Sequence, residues 1–435
     1  MSTHRITDLM TVAGPVLLGP VLLGSVLLGS VLLGSVLEAR GEPMTRQSAI
    51  AVALRNNPEV KAARAEWDAA RARAKAAWAP SDPEFEIEFE ELKRLSEPGE
   101  FAERSIGISQ TIEFPLKWWL NRKAADREAK AVRASVYNLT RLDVVTRVAA
   151  SFDRVLSRQQ VLALETEHEI LLVDFARKTR LRHEAGAVPQ LEVLRAEVES
   201  GRAASRVVAA GNELALARGQ LSVLLAHDGA GELELNGADP ARGPELTLEE
   251  AQARGLQRRP DLQGARRLLE SHRALLGARR AGLFPDLSVG VFRQTLRDAG
   301  ASESLWRLGL AMEIPLWGAL RQRGDLAEAK AKLAGAEAEA ERLRREVKLE
   351  VETAYRNLKT AQDQVALFDE RILREAKAAQ RAAGRSYDEG KASYLEVLSA
   401  QRTLLETRVE YADIQFAYRE ASAALDRAMG GDLPE

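Results

Sequence analysis

The sequence predicts a mainly α fold with a small β part, built as a duplicated helix, strand, strand, long helix, helix unit. Three observations carry this. Charged residues make up 29% of the chain and aromatics 5%, with Ala, Arg, Glu and Leu dominant, which is the composition of long helices with a thin apolar seam. Ile112-Glu113-Phe114-Pro115-Leu116 and Met312-Glu313-Ile314-Pro315-Leu316 repeat one pattern 200 residues apart. Before each proline the residues alternate as in a strand; after each begins a helical stretch of about 70 residues. Further matches fall at offsets of 202 to 204 residues: Thr45 with Thr247, Asn57-Pro58 with Arg259-Pro260, Pro83 with Pro285, and Leu191-Glu192-Val193-Leu194 with Leu395-Glu396-Val397-Leu398.

Residues 1–43 differ in composition from the rest. Val16 to Leu37 repeats a Val-Leu-Leu-Gly-Ser type unit after a short stretch containing Arg5, and it reads as a secretory signal with an overgrown apolar region. Two other readings stand beside it. The 22 residues are long enough to span a bilayer, and translation starting at Met44 would leave no signal. The expected organisation is then a first repeat over 44–227, a connector rich in Gly and Pro over 228–245, a second repeat over 246–429 and a tail over 430–435.

Each repeat opens with a short helix, capped in the second by Thr247 and Glu250 at capping-box spacing. A helix beginning at a proline follows, Pro58 to Ala79 and Pro260 to Gly282. Two strands come next, at Pro83 to Leu92 and Ser105 to Phe114, then at Pro285 to Thr295 and Leu305 to Ile314, with a polar turn at Arg297-Asp298-Ala299-Gly300. The long helices run from Leu116 to Glu184 and from Trp317 to Asp388. Gly186 and Gly390 end them, and return helices reach Ala226 and Met429. In the second long helix Leu343, Val347, Val351, Ala354, Leu358, Ala361, Val365, Phe368 and Ile372 recur at an average near 3.6 residues, so the seam stays on one side of a nearly straight rod.

The strands carry the functional signal. Phe85, Ile87 and Phe89 alternate with Glu84, Glu86, Glu88 and Glu90, giving one apolar and one acidic face. A soluble sheet packed on a core can look like this, and so can a transmembrane strand between lipid and a watery lumen. Trp118, Trp119 and Trp317 cluster where strand meets helix, a position that suits a membrane interface. Lipid cannot satisfy open sheet edges and four strands cannot close, so membrane insertion would require several chains to complete one barrel.

Net charge is −2, from 62 basic and 64 acidic residues, so no basic field invites nucleic acid. With no cysteine there is no disulfide and no thiolate metal site, and His4, His168, His183, His227 and His272 lack ligand spacing. No phosphate loop, nucleophile motif or dinucleotide fingerprint occurs, so neither an enzyme nor a cofactor is expected.

Taken together, the duplication, the Asn-Asn-Pro-Glu helix start at Asn56, the Phe-Pro and Ile-Pro junctions and the Gly-x-x-x-x-Leu-Glu-Val-Leu turns at Gly186 and Gly390 resemble the TolC-like outer-membrane efflux family. The Ile-Glu-Phe-Pro junction is similar to that of its heavy-metal exporting branch. The resemblance implies a homotrimer whose three sets of four strands form a twelve-stranded barrel in the outer-membrane lipid, above a long α-helical barrel in the periplasm. It implies a passive exit duct for small molecules or metal ions, partnered by a periplasmic adaptor protein and an inner-membrane transporter. By position Glu396 matches an acid that narrows the tunnel mouth, with Glu192 its counterpart, while the second expected acid is replaced by Ser399. Glu396 equally fits a helix cap with Ser393. Glu84, Glu86, Glu88, Glu90, Glu113 and Glu313 are the expected lumen-facing acids. The alternative is a non-membrane structural or periplasmic adaptor protein, in which Phe85, Ile87 and Phe89 would pack on protein.

Overall fold

The computed structural model describes residues 44–91, 101–227, 235–237, 246–298, 301–313 and 318–431. The expected signal, most of the connector, the stretch from Ile314 to Trp317 and the end of the tail lie outside the described residues. The chain order is α1 (Arg46–Asn56), α2 (Pro58–Ala76), β1 (Glu84–Glu90), β2 (Glu103–Ile112), α3 (Pro115–Val132), α4 (Leu139–Glu184), α5 (Gln190–Leu225), α6 (Leu248–Arg258), α7 (Pro260–Ala281), β3 (Leu287–Asp298), β4 (Ala301–Met312), α8 (Gly318–Leu367), α9 (Leu373–Asp388) and α10 (Tyr394–Ala428).

Short-range chemistry sets the helix starts. Thr247 and Glu250 exchange the two capping hydrogen bonds, Glu250 N to Thr247 Oγ1 at 3.3 Å and Thr247 N to Glu250 Oε2 at 3.0 Å. In the first copy Ser48 does the work of the glutamate, accepting from Thr45 N at 2.9 Å. Asn57 caps α2 by accepting from Glu59 N, and its amide donates to Leu224 O at 3.0 Å, which ties α2 to the end of α5. At the matching place in the second copy Arg259 is 3% exposed and held by Asp261 and Glu350. Pro115 and Pro260 occupy the first helical turn, where a missing N–H costs nothing.

Each long rod contains one π-helical segment, Arg133–Asn138 between α3 and α4, and Phe368–Ile372 between α8 and α9. One inserted residue leaves the apolar spacing almost unchanged, so periodicity does not reveal it. The first segment lies where α7 crosses closely: a Cβ on Gly264 would come within 2.6 Å of Ser135 Cβ. Of the seam expected on the second rod, Val347, Val351, Ala354, Leu358, Ala361 and Phe368 are buried, and Leu343, Val365 and Ile372 are half-buried.

Two principal apolar cores result. One gathers Ala49, Val60, Val144, Phe152, Leu221 and Leu225 from α1, α2, α4 and α5. The other gathers Ala251, Val347, Val351, Leu425 and Met429 from α6, α8 and the end of α10. The hairpins of the two copies meet along α4 and α10 through a mixed seam, with Val161 against Ala412 and ion pairs of Arg427 with Asp143 at 2.7 Å, Arg158 with Asp413, and Arg408 with Glu167 at 2.9 Å. Of the connector, Leu235 pairs with Met44 as an isolated parallel bridge.

The four strands form one antiparallel sheet in the order β1-β2-β3-β4. Their limits correct the sequence expectation. β1 starts after Pro83, which has no N–H to donate, and stops before Glu91, whose φ of +55° leaves the extended region. β2, β3 and β4 run further into polar sequence than expected: Ser302, Glu303 and Ser304 pair with Arg297, Leu296 and Thr295. Backbone hydrogen bonding, not apolar alternation, decides where a strand ends. Glu113 and Glu313, expected as strand residues, stand just past the last ladder residues Ile112 and Met312.

Two stability outcomes follow from this packing. Gly264→Ala places a methyl group against Ser135 and is expected to lower the thermal midpoint, at a cost of about 1–3 kcal/mol. Gly384→Ala, in open space inside α9, should instead be neutral or stabilising by up to ~1 kcal/mol in the same melt. Asp153 is buried, with Arg46 Nη2 3.6 Å from its Oδ2, and that oxygen accepts no hydrogen bond. Burial pushes its carboxyl above the ordinary value, and Arg46 and Arg419 offset this only in part. The stability it contributes is complete below the unfolded-state pKa and is lost as pH rises through the folded-state pKa. Asp153→Asn is therefore expected to raise the melting midpoint at neutral pH, with the gain disappearing in acid.

Candidate functional site

Two regions gather the residues singled out from the sequence: the sheet and the far tip of the helical hairpins. In an antiparallel sheet directly paired residues share a face, so the register assigns every strand side chain. One face carries Phe85 and Ile87 of β1, Ile106, Ile108 and Ile112 of β2, Leu287, Val289 and Val291 of β3, and Trp306, Leu308, Leu310 and Met312 of β4. These are not a core. Phe85 is 68% exposed, Leu308 68% and Trp306 75%, and among the described residues no helix covers this face. Phe89 alone of the β1 apolar set turns to a neighbour, Phe101, at 5.8 Å.

The opposite face carries Glu84, Glu86, Glu88 and Glu90, joined by Glu103 and Glu303, with Ser105, Ser109, Thr111 and Ser288 between them. Ser109 Oγ donates to Glu86 Oε1 at 2.7 Å. The middle of this face is built on glycine. The Phe292 ring lies flat over Gly107, Gly290 and Gly309, and a Cβ on the first two would reach within 2.2 and 2.6 Å of it. Arg307 stacks on the other side of the ring at 4.7 Å. Sequence alternation missed this arrangement because Phe292 reads as one more apolar residue.

Where the strands become helices, Asp286 joins the two copies. It accepts from Phe114 N at 2.9 Å and from Lys117 Nζ at 2.6 Å, while Phe114 stacks on Phe284 at 4.5 Å. The aromatics expected here divide. Trp118 packs against Trp78 and under the buried Arg122 guanidinium, 3.5 Å away. Trp119 points outward, 46% exposed, beneath Lys123. Trp317 lies outside the described residues. Trp78 and Trp306, both exposed, were not singled out from the sequence.

At the tip, Gly186 and Gly390 take φ of +73° and +70°, a left-handed conformation that costs a Cβ-bearing residue more than glycine. The return helices then begin at Gln190 and Tyr394. The Glu396 carboxylate is exposed and accepts from Ser393 N at 2.7 Å, so the capping role is realised in its acidic half. Glu192 is half-buried and Ser399 exposed. The tip is clamped by aromatics: Tyr394 stacks on Phe175 at 4.5 Å, and Arg182 Nη1 donates to Tyr387 Oη at 2.6 Å. Burial first, then Glu199, Tyr387 and Glu192, push the Tyr394 phenol up to about 12.

This two-faced sheet on duplicated hairpins has a counterpart among known proteins. The model of the outer membrane efflux protein family matches residues 49–227 and 253–431. The chain belongs to the outer membrane efflux protein family. Cobalt-zinc-cadmium resistance protein CzcC of Cupriavidus metallidurans is 27% identical over 397 residues, covering 90% of this chain and 91% of that protein. Cation efflux system protein CusC of Escherichia coli O157:H7 is 26% identical, covering 88% and 85%. A crystal structure of CusC aligns with a TM-score of 0.75 at 23% identity, over 89% of this chain and 92% of that one, which establishes a shared fold. This family member is an outer-membrane efflux channel. Among its described residues no helix is long and apolar enough to cross a membrane, and no three His, Cys, Asp or Glu side chains are grouped to hold a metal.

The buried Tyr394 hydroxyl has no hydrogen-bond partner. Tyr394→Phe should therefore keep the stack and leave the thermal midpoint unchanged or slightly higher. Tyr394→Ala should cost about 3–5 kcal/mol if the tip melts with the rest of the chain.

Proposed function

We propose that three copies of this chain form the exit duct of a tripartite efflux system, moving heavy-metal cations passively across the outer membrane. One observation carries the reading: a sheet with an uncovered apolar face and two unpaired edges, β1 and β4, in the same chain as two helical rods roughly 100 Å long. Lipid leaves no stable place for an open edge. Pairing β4 of one copy with β1 of the next removes every edge at three copies, giving a twelve-stranded barrel with the carboxylate face inside. The hairpins then continue as a helical barrel through the periplasm, where an adaptor and an inner-membrane transporter complete the path. The cation assignment is supported by the lumenal carboxylates and by the relatives CzcC and CusC, whose names specify cobalt, zinc and cadmium resistance and cation efflux.

In this arrangement Glu84, Glu86, Glu88 and Glu90 line the barrel, with Glu113 and Glu313 at its lower rim. Trp118, Trp119 and Trp317 mark the inner interface, Trp119 reaching towards lipid. Glu192 and Glu396 ring the periplasmic mouth. The domain organisation follows: a signal removed on export, two repeats and an equatorial connector. The exposure of Phe85 and Ile87 counts against a non-membrane scaffold.

The purified protein, reconstituted in planar bilayers, is expected to be trimeric and to conduct cations in preference to anions. Replacing Glu84, Glu86, Glu88 and Glu90 together by Gln should lower the cation-to-anion permeability ratio severalfold without abolishing conductance. Glu396→Gln preserves an acceptor for Ser393 N and removes the charge, so an unchanged conductance and selectivity in that variant would assign Glu396 to capping alone. A monomer that neither inserts nor conducts would overturn the duct.

A further inference from the structure

The two sheet faces differ in charge as sharply as in polarity, and the difference has a location. On the apolar face the register places Arg104, Arg293 and Arg297 towards the turn end of the strands, with no acid on that face among the described residues. Arg104 is paired across the sheet with Thr295, so Arg293 and Arg297 are its two diagonal neighbours, roughly 7–8 Å away by strand geometry. Arg104 and Arg297 both lie over the ring of the buried Phe101, at 5.1 and 4.2 Å. Trp306, across from Arg293, is the most exposed residue of its strand's apolar set. Among the described residues neither Arg104 nor Arg293 meets a carboxylate, and Arg104 Nε is buried without a hydrogen-bond partner.

Guanidinium groups this close repel one another, and an anion placed between them relieves the repulsion. The acids of the strands stand on the other side of the sheet. The height of the cluster is also telling. From Ile112 to Arg104 is eight residues, about 27 Å along the strand and some 20 Å along the normal at the ~40° tilt of a barrel, close to the ~25 Å apolar band of an outer-membrane barrel. The cluster therefore sits at the outer rim of the lipid-facing band, where phosphate groups of lipid headgroups lie.

We propose that Arg104, Arg293 and Arg297, with Trp306 beside Arg293, form a binding site for the phosphorylated headgroup of an anionic lipid in the outer leaflet. The planar guanidinium forks grip phosphate oxygens, and the exposed indole packs on the upper acyl chain. The site rests on the barrel reading, because it needs this face to meet lipid. Its partner is defined by chemistry: one or more phosphate monoesters or diesters at a headgroup, above an acyl chain that continues along Ile106, Val291 and Leu308.

The test uses the full trimer, purified in mild detergent and mixed with either phosphatidylglycerol or phosphatidylcholine, with bound lipid read by native mass spectrometry and stability by thermal melt. The wild type is expected to retain phosphatidylglycerol selectively and to melt at higher temperature with it. Replacing Arg104, Arg293 and Arg297 together by Gln should weaken that retention on the order of a hundredfold, at about fivefold per basic residue. Should the triple variant not form trimers, Arg293→Gln alone, which keeps both guanidinium contacts to Phe101, should still weaken retention about fivefold. Equal retention of both lipids by the wild type, or unchanged retention in the variants, would overturn the site. Stabilisation by inorganic phosphate equal to that by phosphatidylglycerol would overturn the lipid assignment. Conductance measured on the same preparation separates these outcomes from failure of the duct itself, which would show as a protein that does not insert.

Discussion

An unpaired backbone amide in hydrocarbon has no solvent to fall back on, and this one constraint orders the rest of the molecule. The chain contributes four strands, too few to close, and leaves β1 and β4 as edges. In the proposed duct, everything below the sheet has to present those edges at a fixed angle to sister chains. The stiffness needed comes from two long helical rods that continue from the strands, the first through Pro115. Asp286 ties the start of the first rod to the start of β3, so that rod cannot tilt without disturbing the second copy's strands.

Much of this was legible in the sequence. The duplication, the alternation in β1, the strand-to-helix switch at Pro115 and the glycine stops at Gly186 and Gly390 all reflect local backbone chemistry, which sequence records faithfully. The apolar seam on the second rod was equally plain. What stayed hidden depends on contacts between distant segments. The π-helical segment at Arg133 lies at the close crossing of Gly264, more than a hundred residues later, and no periodicity encodes that crossing. Ser48 closes a capping box on the opening helix of the first copy, where among the opening helices the sequence marks one only at Thr247 and Glu250, because a hydroxyl can also accept from the helix start. The strands extend into Ser302 and Glu303 because hydrogen bonding continues after the apolar alternation has ceased.

The candidate surfaces followed the same rule. The acids of β1 were evident because they alternate within one strand. Glu103, Glu303 and Arg307 join the same surface only through register, which a single strand does not reveal. At the tip, Glu396 was visible as a motif, whereas the clamp made by Phe175, Tyr387 and Tyr394 draws on three separate helices. Both α4 and α5 within the first copy, and α4 and α10 between copies, combine apolar side chains with arginine and carboxylate pairs that water and salt can weaken.

One detail of the sheet reaches beyond its own geometry. The Phe292 ring fits because three strands each place a residue without a side chain beneath it, Gly107 directly across and Gly290 and Gly309 two residues along. Slide any one of those strands by a step or two and a methyl group or larger substituent arrives beneath the ring, forcing it off the wall. The aromatic therefore acts as a gauge of alignment: only a correctly threaded chain lets it lie down, so in the proposed barrel a misthreaded one is left with an obstruction in the bore.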